Sequence, residues 1–558
     1  WDSGVLSDTD GYRIPYKGIK PEPGQICYWR VQYSCRNKSR WSEIATFVTA
    51  PDQPADWSGA RWISYENLPA SLRVVPGIHV YENPEKIKVR NSSVVPLFRK
   101  SFHLKQKVKQ AYLYISGLGH YEAYVNGKKI GDRALAPGWT QYDKQVLFNS
   151  YDITSQLNRG ENVLGAIVGN GFHYIPGERY HKLMIAYGYP KMICMVRITL
   201  ADNSIQHIVT DSDWKTSPSA VTYSSIYGGE SYDARKEQAG WNTVGFDDSQ
   251  WKTVQLAESP AGRLEPELMY PLTVNQTFKP AQQFRVNENC YTIDFGQNAS
   301  GIISVKLKGN RGDTVRFWPA ELLTSDKRAN QKASGGPYFF EYVLKGGDEE
   351  LWQPLFSYYG FRYLMVEGAG SGLKLKGEVS SASLLSCEFL HLRNSAPATG
   401  SFSSSSDLLN RIYSLINWAI RSNMQSVLTD CPHREKLGWL EQSYLMGNSI
   451  RYNYDVYHLY RKIIRDMVDA LVDNGLIPDI APEYVVFSEG FVDSPEWGSA
   501  GIWLPWMVYI WYGDREQLRE AYPMMVKYVE YLSSKSEGNL LSHGLGDWFD
   551  YGPQPPGV

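Results

Sequence analysis

The first two thirds of the chain alternate apolar and polar residues, a period typical of strands with one buried face. The alternation begins in YWRVQYSCRNKSRWSEIATFVTA and resumes after the Pro- and Asp-rich stretch APDQPADWSG. Asn126-Gly127 separates two such segments, and a tight hairpin turn needs residues that adopt positive φ. We therefore predict three β units, over residues 1–52, 55–270 and 271–395, of which the first is a partial module.

The apolar period changes from two to about 3.6 near Phe402. Leu408, Ile412, Leu415, Ile416 and Ala419 fall on one helical stripe that follows a run of serines. A second helix is predicted from about residue 456 to 474, and a third is capped by Asp514 with Gln517 three residues later. An all-α domain over residues 396–558 thus follows the β units.

Charge and composition exclude several classes of protein. Lys and Arg number 57 against 59 Asp and Glu, without the clustered basic excess that nucleic-acid binding requires. No apolar run reaches the ~18 residues of a membrane span. The six cysteines lack zinc-ligand spacing, so no metal or cofactor is predicted. Aromatic residues make up 14% of the chain, which is compatible with stacking on sugar rings and equally with a large core.

The densest candidate chemistry lies in TDCPHREKLGWLEQ, residues 429–442. If a helix begins near Pro432, then Glu435, Trp439 and Gln442 share one face. An indole desolvates a neighbouring carboxyl and raises its pKa, as a general acid requires, although Arg434 and Lys436 would oppose this if they turned towards it. In the alternative interpretation Asp430 caps the helix, the charged residues are solvated and the tryptophan is core.

Two later loops repeat the pairing of acid and tryptophan at a helix junction. FVDSPEWGSA contains Asp493, Glu496 and Trp497, and GLGDWFDYGP contains Asp547, Trp548 and Asp550. Each tryptophan alone could be core, but the three loops together predict a sugar site at one end of a helical barrel. The segment GNGFHYIPGERYHK has His173, Glu178 and His181 without metal-ligand spacing, and we predict no site there.

At DCPHREKLGW the sequence resembles the bacterial α-L-rhamnosidases of glycoside hydrolase family 78. The resemblance extends to GLGHYEAYVNGKKIGDRALAPGWTQYD, YGGESYDAR, DFGQNASG and PLFSYYGFRYLMVEG. It implies a fibronectin-III-like module, jelly-roll-like β-sandwich domains and an (α/α)6 barrel. We expect the barrel to be incomplete in this chain, because about twelve helices with their loops need more residues than follow Phe402.

The resemblance also implies roles for individual residues. Glu435 matches the general acid, and three residues match the lining of the rhamnose subsite: Asp430, Arg434 and Trp439. Trp497 and Trp548 match aromatic residues that flank the sugar, while Gln442 stands where many members have Asp. No residue matches the motif of the family's general base, a later Glu, so we expect the base downstream and this chain alone to be inactive.

These residues lead to the expectation of an inverting hydrolase that removes terminal α-L-rhamnose from oligosaccharides, polysaccharides or glycosides. Two alternatives are kept: a glycosidase of the same barrel class acting on another sugar, and a carbohydrate-binding protein without turnover. We further expect export to the periplasm or medium, with a cytoplasmic location left open, and a homodimer as one candidate assembly. No nucleic acid and no membrane span are expected.

Overall fold

The computed structural model describes residues 1–6, 14–35, 38–80, 91–332, 334, 336–371 and 382–546. The first unit contains two antiparallel strand pairs. Ile26–Trp29 pairs with Ala45–Val48, and Gln32–Cys35 pairs with Lys38–Trp41. The alternating segment that predicted β structure therefore divides into four short strands.

The second unit is a sandwich of two sheets. In sheet order, the six-stranded sheet consists of Lys128–Lys129, Tyr121–Val125, Gly160–Val168, Pro96–Leu104, Lys215–Pro218 and Lys252–Thr253. The seven-stranded sheet consists of Gln255–Leu256, Ile63–Ser64, Lys191–Leu200, Val108–Leu118, Gln145–Asp152 and Arg263–Pro266, with Ile205–Val209 beside Lys191–Leu200. Their inner residues, such as Phe98 and Ile115, share one core. The hairpin turn at Asn126-Gly127 has φ of 49° and 85°, which confirms the prediction.

The third unit is built on an eleven-stranded sheet. Its main path consists of Val221–Ser225, Gly229–Asp233, Phe339–Val343, Thr314–Ala320, Tyr359–Glu367, Cys290–Lys308, Ser383–Asn394 and Leu272–Phe278. Gln282–Asn287, Glu350–Trp352 and Gly370–Ser371 pair beside this path, and Leu322–Leu323 forms a separate pair with Ala329–Asn330. Gly229–Asp233 runs parallel to Phe339–Val343, so residues 221–233 lie in this sheet although they precede residue 271.

Seven α-helices follow in the described part of the chain. They are α1 (Asp407–Asn423), α2 (Glu441–Leu445), α3 (Gly447–Asn453), α4 (Tyr457–Ala470), α5 (Pro495–Gly498), α6 (Ala500–Tyr512) and α7 (Arg515–Lys535). The three predicted helices correspond to α1, α4 and α7, and the Asp514 carboxylate accepts a 3.0 Å hydrogen bond from the Gln517 amide. The stripe of α1 is largely exposed, while Trp418 on another side packs against Phe278 of the eleven-stranded sheet.

A small three-stranded sheet connects the second unit to the helical region. Leu183–Ala186 pairs antiparallel with Val74–His79, and Val485–Val486, which follows α4, pairs parallel with the same strand. A continuous core runs through this junction and includes Trp139, Phe172 and Tyr484. This junction brings the second β unit next to the loop that contains Glu435. Within the described ranges, no helix has the length and hydropathy of a membrane span.

Candidate active site

The loop from Asp430 to Trp439 is not helical. The Asp430 amide donates to the Leu437 carbonyl and the Leu437 amide donates to Asp430 Oδ1, both at 3.1 Å. Lys436 has φ of +53°, a left-handed conformation that a helix cannot contain. The prediction of a helix from near Pro432 is therefore wrong, and α2 begins only at Glu441.

Burial of Lys436 explains this local conformation. Its ammonium donates to the carbonyl oxygens of Ile226 and Tyr358, the latter at 2.6 Å. It also lies 4.5 Å from the ring centre of Tyr358 and 5.2 Å from that of Tyr338. Burial lowers the pKa of Lys436 well below its ordinary value. Lys436 therefore anchors the loop to the β units and does not turn towards Glu435.

The Glu435 carboxyl is held by donors on both oxygens. Trp439 Nε1 donates to Oε2 at 3.0 Å, and Lys182 Nζ pairs with Oε1. Arg434 Nε lies 3.4 Å from Oε1. The side chain of Glu435 is only 12% exposed, so these donors act in a partly desolvated place where charge interactions are strong.

The charges around Glu435 reverse the expected direction of its pKa shift. Burial alone would raise the pKa of Glu435, but Lys182, Arg434 and Trp439 together outweigh it and lower the pKa below the ordinary value. The raised pKa expected from the neighbouring indole is therefore not found, because Arg434 does turn towards Glu435, as the sequence analysis allowed, and Lys182 adds a second cation. Burial, together with the adjacent Cys431 and Glu435, instead raises the pKa of Asp430 well above its ordinary value. The site thus combines a Glu435 carboxyl whose pKa is lowered with an Asp430 carboxyl whose pKa is raised.

The β units contribute side chains to this loop that the sequence analysis does not identify. Tyr180 Oη donates to the Arg434 carbonyl at 3.1 Å, and Tyr227 Oη donates to the Glu435 carbonyl at 2.6 Å. The two tyrosine rings stack with centres 4.6 Å apart. Tyr180 and Lys182 belong to GNGFHYIPGERYHK, which had been considered only for metal binding. Neither periodicity nor spacing marks them, since their partners lie about 250 residues later.

Three aromatic rings lie close to the indole ring of Trp439. Phe487 lies 5.2 Å from its ring centre, Phe491 at 6.5 Å and Trp497 at 6.4 Å. Trp497 meets Trp439 edge to face and is only 6% exposed, so most of its surface belongs to the helical core. The two phenylalanines were not identified from the sequence, although they lie in the segment between α4 and α5.

The other predicted site residues have different surroundings. Gln442 lies in α2, and its buried Nε2 has no hydrogen-bond partner among the described residues. Asp493 accepts a 2.6 Å hydrogen bond from Tyr531 and pairs with Lys535, an arrangement that joins α7 to the loop before α5. Three further candidates lie outside the described residues: Asp547, Trp548 and Asp550.

The arrangement contains a carboxyl in a fixed orientation, an indole beside it, a neighbouring carboxyl with a raised pKa and a group of aromatic rings. Such a combination suits proton transfer to a sugar substrate, because carboxyls move protons and aromatic rings pack against the apolar face of a sugar. In the part of the chain that is described, no three His, Cys, Asp or Glu side chains converge as metal ligands.

Four family models match the chain in succession. They are a Rha78A-like N-terminal immunoglobulin domain at 1–52, the α-L-rhamnosidase N-terminal domain at 106–276, the bacterial α-L-rhamnosidase concanavalin-like domain at 284–384 and the bacterial α-L-rhamnosidase six-hairpin glycosidase domain at 397–558. This succession defines a multidomain glycosidase chain, with the predicted fold class of β units followed by a helical barrel domain. The chain belongs to the bacterial α-L-rhamnosidases of glycoside hydrolase family 78.

Individual relatives agree with the family models. An α-L-rhamnosidase of Formosa agariphila is 30% identical over 98% of this chain and 59% of its own length. One from Streptomyces avermitilis is 32% identical over 83% of this chain and 44% of its own length. The solved structure of an α-L-rhamnosidase from Dictyoglumus thermophilum has a TM-score of 0.85 and 33% identity, covering 97% of this chain and 59% of that one. The chain thus spans about half the length of these relatives.

Proposed function

We propose that the protein containing this chain hydrolyses terminal α-L-rhamnosides with inversion, and that Glu435 is the general acid. The supporting observation is the hydrogen bond from Trp439 to Glu435 within the loop DCPHREKLGW of the six-hairpin domain. A protonated carboxyl there would deliver its proton to the leaving oxygen. The rings of Trp439 and Phe487 suit the apolar methyl group of a 6-deoxy sugar, and the relatives named as α-L-rhamnosidases support rhamnose.

This mechanism sets two further requirements. Glu435 has to take up a proton before it can act as an acid, because the surrounding cations lower its pKa in the substrate-free structure. Inversion also requires a carboxylate ~6.5–9.5 Å from the acid to activate water on the other face of the sugar. We give the role of base to no residue of this chain.

Glu435→Gln tests the proposal in the protein that contains this chain. We expect kcat to fall by ~10²–10⁴ on a rhamnosyl disaccharide, whose leaving group needs protonation, and by less on 4-nitrophenyl α-L-rhamnoside. Glu122→Gln is the matched control, since Glu122 is buried and also bonded by a lysine and an aromatic hydroxyl, Lys129 and Tyr124. Equal mild losses on both substrates would contradict the assignment of the acid.

The two alternatives predict different outcomes. A panel of 4-nitrophenyl glycosides separates a rhamnosidase from a glycosidase acting on another sugar, and NMR of the first-formed anomer reports inversion. A rise in Tm with rhamnose but without hydrolysis would favour a binding protein, because a ligand of the folded state stabilises it. Rhamnose-containing glycans are the proposed partners, and export and a homodimer stay predictions.

A further inference from the structure

Lys182 reaches the candidate acid from a different structural unit. It immediately precedes the strand Leu183–Ala186, whose residue Leu183 pairs with His79. The Lys182 carbonyl accepts a 2.9 Å hydrogen bond from the Val80 amide. The same three-stranded sheet contains Val485–Val486 from the helical region. The backbone of Lys182 is therefore fixed relative to the helical region, while a flexible four-carbon stem carries its ammonium to Glu435.

Both carboxyl oxygens of Glu435 face donors. Oε1 faces the Lys182 ammonium and Oε2 accepts the Trp439 indole N–H, while Arg434 Nε lies 3.4 Å from Oε1. Donors on both oxygens favour the ionised form of the carboxyl, and a proton on Oε1 would face the Lys182 ammonium. Protonation of Oε1 is therefore easier once that ammonium moves away. Trp439 is confined by the rings around it, whereas Lys182 has a flexible stem and a side chain 22% exposed to solvent.

We propose that Lys182 is a positioning residue for Glu435: it holds the oxygen that must carry the transferred proton and releases it when a leaving group enters. This inference rests on the proposed function of Glu435. The released ammonium then lies on the leaving-group side of the site, where it donates hydrogen bonds to the hydroxyls of the second sugar. Lys182 thus links occupation of that subsite to protonation of the acid.

Other ionisable groups also face Glu435 and would remain in a Lys182 variant. From the β units these are Tyr180 and Tyr227, and from the loop itself they are Asp430, Cys431 and Arg434. Arg434 remains as a cation, so removal of Lys182 should raise the pKa of Glu435 without making it that of an isolated buried acid. An opposite charge at this range lowers a carboxyl pKa by ~1–3 units, which sets the size of the expected change.

The kinetic test uses Lys182→Met and Lys182→Arg in the protein that contains this chain. A general acid loses activity as the pH rises through its pKa, so Lys182→Met should move the alkaline limb of kcat/KM upward by ~1 unit or more. It should also raise KM for a rhamnosyl disaccharide more than for 4-nitrophenyl α-L-rhamnoside. In Lys182→Arg the alkaline limb of kcat/KM should return to its wild-type pH. Lys129→Met, which breaks the comparable pair with Glu122, should leave it in place.

A purely structural lysine would lower activity equally at all pH values, and that result would overturn the inference. A second measurement does not depend on hydrolysis: carboxyl ¹³C NMR titration of the chain with labelled glutamate, in which Glu435→Gln identifies the resonance. Lys182→Met should raise the titration midpoint of Glu435 and Lys129→Met should not. If Lys182→Met does not fold, Lys182→Gln replaces it in both measurements.

The two measurements separate failure of this inference from failure of the proposed function. A shifted NMR midpoint without any rhamnoside hydrolysis would remove the proposed function but retain Lys182 as the group that holds Glu435. Hydrolysis that depends on Glu435, with an unchanged midpoint and pH limb in Lys182→Met, would overturn this inference and leave the proposed function intact.

Discussion

The indole Nε1 of Trp439 donates a 3.0 Å hydrogen bond to Oε2 of Glu435, although no helix connects these two residues. Their contact depends instead on a turn that reverses at Lys436 and on the pairing of Asp430 with Leu437. The bond fixes the orientation of the carboxyl and, with Lys182 on the other oxygen, stabilises its ionised form. Two different units of the chain therefore act together on the orientation and ionisation of the candidate acid.

Trp439→Phe should separate the hydrogen bond from the aromatic ring. The variant retains an aromatic surface but removes the N–H, and a hydrogen bond to a charged group contributes about 1.5–3 kcal/mol. We expect the pKa of Glu435 to rise and kcat on a rhamnosyl disaccharide to fall at least ~10-fold, as measured by pH–rate profiles. Trp503→Phe, at an exposed position of α6, is the control. An unchanged profile would show that the bond does not affect the acid.

Trp497→Ala should reduce stability as well as sugar binding. The sequence assigned this residue to the wall of the sugar site, and that role stays a prediction. The structure adds that the ring is almost completely buried and meets Trp439 edge to face. Replacing a buried tryptophan by alanine costs about 3–5 kcal/mol. Thermal unfolding should therefore show a clear fall in Tm, whereas Trp506→Ala, at an exposed ring, should have little effect. An unchanged Tm would contradict this account of Trp497.

Gly438→Ala should displace the loop that carries Glu435. The Gly438 carbonyl accepts a 3.0 Å hydrogen bond from the Ala481 amide, and Trp439 pairs with Ile480. A Cβ on Gly438 would lie inside contact distance of the Ala481 carbonyl oxygen, which is backbone and cannot rotate away. We expect a lower kcat and weaker protection of the loop from proteolysis.

Gly188→Ala provides the comparison for Gly438→Ala. Its Cβ would approach only the His173 ring, at 3.0 Å, and a side chain adjusts more easily than backbone. If both alanine variants retain full activity and equal resistance to protease, the close backbone approach at Gly438 does not position the acid.

Sequence patterns predicted the turns, caps and helices that depend on neighbouring residues. The Asn126-Gly127 turn, the Asp514 cap and the three long helices follow from residues close together in sequence. The loop around Glu435 does not, because Lys436 leaves the helical conformation to reach carbonyls at Ile226 and Tyr358 in the β units. A helical periodicity within residues 432–442 contains no information about those partners.

The pKa of Glu435 also depends on a residue far away in the sequence, so local patterns could not predict it. The indole beside Glu435 was visible in the sequence, and so were the nearby cations Arg434 and Lys436, but not Lys182. The pKa is lowered because Lys182 approaches from 253 positions earlier in the chain. Only the pairing of strands across the junction brings that cation to the loop. Glu435 could be identified as the candidate acid from the sequence, but the direction of its pKa shift could not.

The pH dependence of stability should reveal Asp479, a fully buried carboxyl beside the site. Its Oδ1 accepts a 2.9 Å hydrogen bond from the Ser494 amide, while Oδ2 has no partner among the described residues. Burial, reinforced by Asp493 and Glu496, raises the pKa of Asp479 to about 8. The folded chain therefore binds a proton that the unfolded chain has lost. The contribution of Asp479 to stability falls as the pH rises from about 4 to about 8 and is constant above that range.

Asp479→Asn keeps the acceptor for Ser494 and removes this ionisation. Relative to wild type, we expect its Tm to increase steadily from about pH 4 to about pH 8. Asp493→Asn should show the opposite sign, because its hydrogen-bonded lysine, Lys535, contributes to a lowered pKa of Asp493. Its destabilisation should be full at neutral pH and should disappear as the pH falls through that lowered pKa. A difference curve for Asp479→Asn that is flat across this range would show that the carboxyl ionises freely in the folded chain.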